Sequence, residues 1–221
     1  NNLIKGTMSL VDEVEAEIIY SKMGHCVECS GGSAANTVAS LASLGSSGAF
    51  IGKVKDDQLG KVFRHDITSM GITFKTAAGT DGLSTARCMI HVTPDAQRTM
   101  QTFLGASSNL GPNDIDENIV ANAHVTYLEG YLWDPEVAKQ AFRKAAHIAV
   151  SAGRKVALSL SDPFCVERHR SDFLDLVKNH IDILFANEEE IMSLYQLKDF
   201  DAAMQAVRAD CEIAALTRSE K

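Results

Sequence analysis

VTYLEGYLWDPEVAKQAFRKAAHIAVSAGRKVALSL, residues 125–160, decides the fold of this chain. Val125 to Leu128 is a short apolar run; Pro135 to Ala152 carries apolar residues at helical spacing and ends at Gly153; Lys155 to Leu160 is apolar again. The stretch reads as strand, helix, strand. The same alternation continues downstream, with a helix over Val166 to Lys178, a strand over Ile181 to Ala186 and a helix over Glu188 to Tyr195. It also runs upstream. Ala34 to Leu44 is a helix stopped by Gly45, Gly48 to Val54 is an apolar strand, a helix from about Asp57 to Met70 closes at Gly71, and a strand starts at Ile72. Repeated strand-helix units predict an α/β fold in which a parallel sheet is covered by helices on both faces.

Two stretches break this rhythm. Residues 1–30 and 74–107 hold short alternating segments, such as Ala86 to Val92 and Thr99 to Leu104, with little helical periodicity. They read as antiparallel strands without a core of their own, a small β lid laid on the edge of a core built from residues 31–73 and 108–221. No internal repeat, low-complexity tract or polar linker interrupts the chain.

With 221 residues and 45% apolar content, the chain can bury a full core. A net charge of −8 argues against broad attraction to nucleic acid or anionic lipid, which depends on clustered Lys and Arg. No apolar run approaches the roughly 18 residues of a membrane span, and no basic-then-apolar signal opens the chain, so a cytoplasmic setting is expected. The opening at Asn1 and the stop at Lys221, straight after the apolar run Ile213 to Leu216, predict that both ends are cuts. Five cysteines include the pair Cys26 and Cys29, beside His25. A zinc site needs a second ligand pair, and none has suitable spacing, so reduced cysteines in a strand are the expectation.

Gly31-Gly32-Ser33-Ala34-Ala35-Asn36 joins an extended segment to a helix. Its glycines allow close backbone approach and the helix start offers free N–H groups, a place for a polar small molecule to dock. Taken alone, the same residues are a turn with a cap. Asn36 sharpens the docking reading, because an amide inside an apolar helix start both donates and accepts and suits a hydroxyl pair; a local backbone bond is its alternative. The chain contains neither the dinucleotide fingerprint nor the Walker phosphate loop. Asn187-Glu188-Glu189-Glu190 follows an apolar strand and opens a helix, at the end of a parallel strand where ligands of α/β sheets gather. Acidic residues there cap the helix and favour its dipole. Asn187 and Glu190, one turn apart, can equally order a magnesium ion through its waters.

GGSAANTVASLASLG, followed by GKVKDDQLGKVF, with ANEEE after ILF and LTRSEK at the end, resembles the PfkB or ribokinase family of sugar and nucleoside kinases over essentially the whole chain. YLEGYLWDP (Tyr127 to Pro135) and LSLSDPFCV (Leu158 to Val166) look most like its bacterial adenosine-kinase members. The resemblance implies a ribokinase-like fold, ATP and Mg2+ as cofactors, and transfer of the ATP γ-phosphoryl group to a ribose hydroxyl, adenosine being the expected acceptor. It places Gly31, Gly32 and Asn36 at the sugar, Asn187 and Glu190 at magnesium and phosphate, and Thr217 in the nucleotide segment. Arg98, in AQRTM, reaches over the pocket or solvates a hairpin turn, and Phe103 and Phe164 stack on a base or pack in the core. Ribokinases pair through their lids whereas adenosine kinases often stay single, so the resemblance leaves a homodimer through the lid and a monomer both open. Departures from the family also count. The family's first strand, with its acidic residue, is missing, and so is the G-A-G-D motif whose aspartate is the base. Asp56, Asp57, Asp114, Asp162 and Asp182 do not replace it by motif and read as turn or cap residues. The base is therefore expected beyond Lys221, and residues 1–221 alone are expected to be inactive. A ribose or fructose kinase and a non-catalytic ligand-binding domain are the competing readings.

Overall fold

The computed structural model of the chain describes residues 3–218. It divides into two compact units, Asn1–Leu110 and Gly111–Lys221, each with its own sheet.

In the first unit, β1 (Met8–Leu10) leads into α1 (Glu13–Lys22), followed by α2 (Ser33–Ser43), α3 (Gln58–Ser69) and the hairpin of β2 (Arg87–Val92) and β3 (Arg98–Phe103). The helix α1 lies inside a stretch whose sequence suggested strands only. Its start is fixed by a capping box: the Asp12 carboxylate accepts from Glu15 N–H at 2.8 Å, and the Glu15 carboxylate accepts from Asp12 N–H at 3.1 Å. Only Ala16 of this helix is fully buried while Val14, Ile18 and Tyr20 are exposed, so no apolar stripe advertises it. The small sheet has the order β1-β3-β2 and is mixed. β2 and β3 pair antiparallel, as a hairpin must, but β1 joins β3 in parallel, with Met8 opposite Met100. Strands brought together from distant parts of a chain are free to run either way. Ala16, Met89 and Phe103 form the core beneath this sheet.

A second core holds Ala35, Val38, Val54, Ile67, Ile72 and Phe74, with Phe50 and Phe63 packed on it. The expected strands at Gly48 to Val54 and from Ile72 run parallel, yet pair only at two isolated bridges, Ala49 with Thr73 and Lys55 with Gly79. Asp57 caps α3 through Gly60 N–H at 2.7 Å and also accepts from Thr85 N–H at 2.8 Å and the Thr85 hydroxyl at 2.7 Å. These bonds offset the penalty of burial and hold its carboxyl below the usual range. The cap reading of Asp57 thus extends to a link with the approach to β2. Cys26 and Cys29 are free thiols in an irregular segment between α1 and α2, not in a strand.

The second unit is the α/β alternation read from residues 125–160. Its elements are α4 (Glu117–Asn122), β4 (Val125–Glu129), α5 (Glu136–Ser151), β5 (Lys155–Ser159), α6 (Pro163–Asn179), β6 (Ile183–Asn187), α7 (Glu188–Tyr195), α8 (Phe200–Val207) and β7 (Ile213–Thr217). The sheet is parallel throughout, in the order β4-β5-β6-β7, and helices flank it. α5 packs on β4 and β5, and α7 on β6 and β7, over buried Val156, Leu158, Leu184 and Ala186. α6 begins at Pro163, where Asp162 accepts from Phe164 N–H at 2.7 Å; proline suits the first turn because the N–H it lacks has no intrahelical partner. α8, unanticipated, is a single short amphipathic helix capped by Asp199 through Ala202 N–H at 2.8 Å. Trp133 is 0% exposed and meets Phe142 and Phe173 with ring centroids 5.8 and 5.6 Å away. No helix among the described residues is long and apolar enough to cross a membrane.

Candidate functional site

Parallel strands all point their carboxyl ends the same way, so residues that follow β4, β5, β6 and β7 gather at one edge of the second sheet. Register decides which of them are neighbours. Asn187 ends β6 directly opposite Thr217, which ends β7, and Glu129 ends β4 opposite Ser159 of β5. The structure thus brings together Asn187, Glu190 and Thr217, three positions that the sequence holds up to thirty residues apart.

Asn187 and Glu190 form a complete capping box. The Asn187 side-chain oxygen accepts from Glu190 N–H at 2.9 Å, while the Glu190 carboxylate accepts from Asn187 N–H at 3.0 Å and from its side-chain amide at 2.8 Å. The capping role offered by the sequence is therefore present. It leaves room for a second role, because each carboxylate oxygen accepts one of these bonds and keeps further lone-pair capacity. Glu190 is only 6% exposed. Burial pushes its carboxyl upward, and the charges of Asp162, Glu129 and Glu189 push the same way, against the backbone bond from Asn187. A buried carboxylate repelled by other carboxylates and rich in oxygen donors fits a hydrated divalent cation, which such a donor set prefers.

Around this box stand residues that sequence motifs did not single out. Ser161 holds a left-handed backbone (φ 72°) and its hydroxyl donates to the Glu129 carboxylate at 3.2 Å. Gly130 permits this crossing, since a Cβ there would come within 2.8 Å of Ser159 O. Tyr131, pushed up to about 12 mainly by burial and then by the Asp162, Glu190 and Glu129 charges, keeps its proton and has a donor to offer. Position just past a strand's carboxyl end was the available signal for these residues. Arg218 pairs with Glu188 at 3.0 Å and lies over the Phe200 ring at 4.3 Å.

In the first unit, Gly31 and Gly32 lead into α2 with open space where their Cβ atoms would be. Gly32 has φ 102°, which L side chains rarely adopt. Gly32→Ala is accordingly expected to cost roughly 1–3 kcal/mol through backbone strain alone; a melting temperature unchanged from the parent chain would show that this segment relaxes. Asn36 is exposed, and its side chain makes no hydrogen bond among the described residues; its backbone N–H donates to Gly32 O at 2.8 Å. Arg98 is exposed beside the turn of the β2–β3 hairpin, opposite Val92. Phe103 is buried with Ala16 and Met89, which assigns it to the core, whereas Phe164 is 63% exposed. The expected catalytic aspartate beyond Lys221 lies outside the described residues, and among those residues no group of three His, Cys, Asp or Glu side chains is arranged to hold a bare metal ion.

The pfkB family carbohydrate kinase model matches residues 8–218, nearly the whole chain. The chain belongs to the pfkB carbohydrate kinase family. Among solved pfkB-like structures, the adenosine kinase from Sinorhizobium meliloti is 52% identical, with a TM-score of 0.96 over 100% of this chain and 68% of its own. A probable sugar kinase from Rhizobium etli CFN 42 is 49% identical, with a TM-score of 0.95 over 99% of this chain and 66% of its own. Among curated proteins, the ATP-dependent ribose-1-phosphate kinase of Halopiger xanaduensis is 28% identical over 80% of this chain. The chain spans 58% of that relative's length. These neighbours have the ribokinase fold, an assignment that agrees with the parallel sheet and small mixed sheet found here.

Proposed function

We propose that this pfkB family member transfers the γ-phosphoryl group of ATP to a hydroxyl of a ribose-containing small molecule, adenosine first among them. One observation carries the nucleoside reading: 52% identity across the entire chain to a solved adenosine kinase, with a TM-score of 0.96. A sugar acceptor is the second reading, favoured by the probable sugar kinase at 49% identity and by fructokinases among the curated relatives. Residues 1–30 and 74–107 act in this proposal as a lid, residues 31–73 and 108–221 as the core, and the setting is cytoplasmic.

Phosphoryl transfer depends on positioning and on neutralising charge more than on covalent chemistry by the protein. Gly31, Gly32 and the free amide of Asn36 are assigned to the acceptor hydroxyls, with Arg98 as a further acceptor contact. Asn187 and Glu190 are assigned to the waters of Mg2+, and Thr217, beside Asn187, to the nucleotide. The bound ion supplies positive charge that offsets the phosphates. Glu190 contributes a carboxylate whose orientation is fixed by its bonds to Asn187. Tyr131 offers a proton for hydrogen bonding without releasing it.

Calorimetric titration of adenosine, ribose and fructose into the chain, alongside ATP-dependent phosphorylation of each by a version extended through the expected G-A-G-D motif, tests the acceptor assignment. Adenosine is expected to bind tightest, because a purine fills an apolar slot that a free sugar leaves empty. Tighter binding of fructose or ribose would replace the nucleoside reading with the sugar one. In the same titration Asn36→Ala is expected to weaken the acceptor by about 0.5–1.5 kcal/mol, the worth of one lost hydrogen bond, and to leave ATP unchanged. An unaltered acceptor affinity would remove Asn36 from the site.

A further inference from the structure

A polar stripe on α6 lies outside the residues assigned to ATP, Mg2+ and the acceptor. Cys165, Arg168, His169 and Asp172 recur at i, i+3, i+4 and i+7, one face of the helix. All four bond the short 3-10 turn Gly130–Trp133 or the residue that closes it, Asp134. The Cys165 thiol donates to Gly130 O at 3.2 Å, and the Asp172 carboxylate accepts from the Trp133 indole N–H at 3.0 Å. Between them, the Asp134 carboxylate accepts from Arg168 Nε at 3.2 Å, from Arg168 Nη2 at 3.0 Å and from His169 Nε2 at 2.6 Å. Burial would push the Asp134 carboxyl up, yet the bonds from His169 and Arg168 hold it below the usual range. An ionised carboxylate only accepts, so the His169 ring nitrogen carries the hydrogen. α6 also leaves helical geometry at His169 (φ −122°, ψ 25°), with neither Pro nor Gly beside it. Backbone of this kind costs energy and persists where the contacts around it over-determine it.

The turn is pinned to α6 at both ends, and between those ends it carries Tyr131. β4 leads into it through Glu129, whose carboxylate takes the Ser161 hydroxyl. A Cβ on Gly130 would stand 2.8 Å from Ser159 O and 2.9 Å from Leu160 O, so the turn lies against the carboxyl end of β5. Burial, and then the charges of Asp162, Glu190 and Glu129, keep the proton on Tyr131. A protonated phenol donates, and phosphate oxygens accept. We propose that Asp134, with Arg168 and His169, is a positioning residue that holds this turn so that Tyr131 offers its hydroxyl to the phosphates of ATP. The inference rests on the phosphoryl-transfer reading and adds to it a contact and the clamp that aims it. An ordinary surface ion pair accounts for the Arg168 bonds. It does not account for a helix deformed at His169, or for a four-residue polar stripe spent on one turn at the carboxyl end of the sheet.

The test is calorimetric titration of a version extended through the expected G-A-G-D motif, with the β,γ-methylene analogue of ATP in the presence of Mg2+ and, separately, with the acceptor. Asp134→Ala and Tyr131→Phe are each expected to weaken the analogue roughly 2- to 10-fold, the worth of one hydrogen bond, and to leave acceptor affinity unchanged. Because Asp134 acts through Tyr131, the double variant should bind no more weakly than Tyr131→Phe alone. Arg168→Ala changes a half-exposed side chain, is expected to move the same way, and carries the test should Asp134→Ala fail to fold. Asp182→Ala is the control. It breaks comparable bonds, from Lys155 Nζ at 2.9 Å and Val156 N–H at 2.8 Å, at the amino end of the same sheet, and should leave both affinities as they are. Fluorine NMR of the fluorotryptophan-labelled protein reads the turn directly, the Trp133 resonance being the one lost in Trp133→Phe. Asp134→Ala should shift that resonance and Asp182→Ala should not. A parent that does not bind the analogue overturns the phosphoryl-transfer reading, and this inference with it. A parent that binds it, while Asp134→Ala and Arg168→Ala bind equally well, overturns the clamp alone. So do additive losses in the double variant, or an equal loss in Asp182→Ala.

Discussion

Trp133→Ala is expected to lower the stability of the second unit by about 3–5 kcal/mol, the usual cost of deleting a large aromatic side chain from a core. The indole is 0% exposed, its neighbours Phe142 and Phe173 stand within 6 Å between ring centroids, and its N–H donates to the Asp172 carboxylate at 3.0 Å. Alanine removes all three contributions and leaves a cavity too well walled by α5 and α6 to collapse fully. A second signature separates packing from the hydrogen bond. The indole N–H is the leading cause that holds the Asp172 carboxyl below the usual range, ahead of Lys139 at 3.3 Å. A depressed carboxyl contributes stability above its unfolded value and loses it as the pH falls through the folded one. Trp133→Phe, which keeps most of the packing, should therefore lose mainly this acid-sensitive part. Urea unfolding followed by circular dichroism is the measurement, because Trp133 is the single tryptophan and fluorescence would vanish with it. A loss below about 0.5 kcal/mol, the range of ordinary surface substitutions, would mean that the three rings do not form a packed core.

In a version extended through the expected G-A-G-D motif, Glu190→Gln is expected to reduce phosphoryl transfer about 10- to 100-fold and to raise the magnesium requirement, the scale seen when a group that orders a metal's surroundings is altered. The same change should affect stability in a way a simple cap would not. Burial and the neighbouring carboxylates raise the Glu190 carboxyl. A group whose folded value is raised stabilises the fold at low pH and loses that contribution as the pH rises through the folded value. The parent chain should thus gain stability, relative to Glu190→Gln, as the pH is lowered from neutrality through the raised value toward the ordinary glutamate range. Glutamine carries no such charge, but in either orientation its NH2 meets one of the two Asn187 donors, the backbone N–H or the side-chain NH2, that the carboxylate accepted. Mg2+ favours the ionised form and should raise the melting temperature of the parent at neutral pH, not that of the variant. Thermal melts against pH, with and without Mg2+, read all of this. Parallel curves for the two chains would reduce Glu190 to a helix cap.

Particular elements mark how far the sequence carries. Residues 125–160 announced strand, helix and strand because a buried parallel sheet demands apolar runs and a covering helix demands an apolar stripe; the ends of β4, α5 and β5 fall within two residues of that reading. Ala34 to Leu44 and Glu188 to Tyr195 were legible for the same reason, and Asn187 with Glu190 carried their cap in their spacing. α1 was not legible. Its apolar residues face solvent around most of its circumference, and its start depends on two carboxylates three residues apart within an otherwise ordinary polar stretch.

The composition, the strand-helix alternation and the chemistry of the Asn187–Glu190 pair were determined locally, by periodicity and spacing along the chain. The parallel addition of β1 to β3, the register that sets Asn187 against Thr217, and the burial of Glu190 among Asp162 and Glu129 were decided only by tertiary structure. The reason is physical: a side chain's spacing reports which face of its own element is covered, whereas strand order, register and local electric field depend on segments distant in sequence, whose contacts form only when the whole sheet assembles.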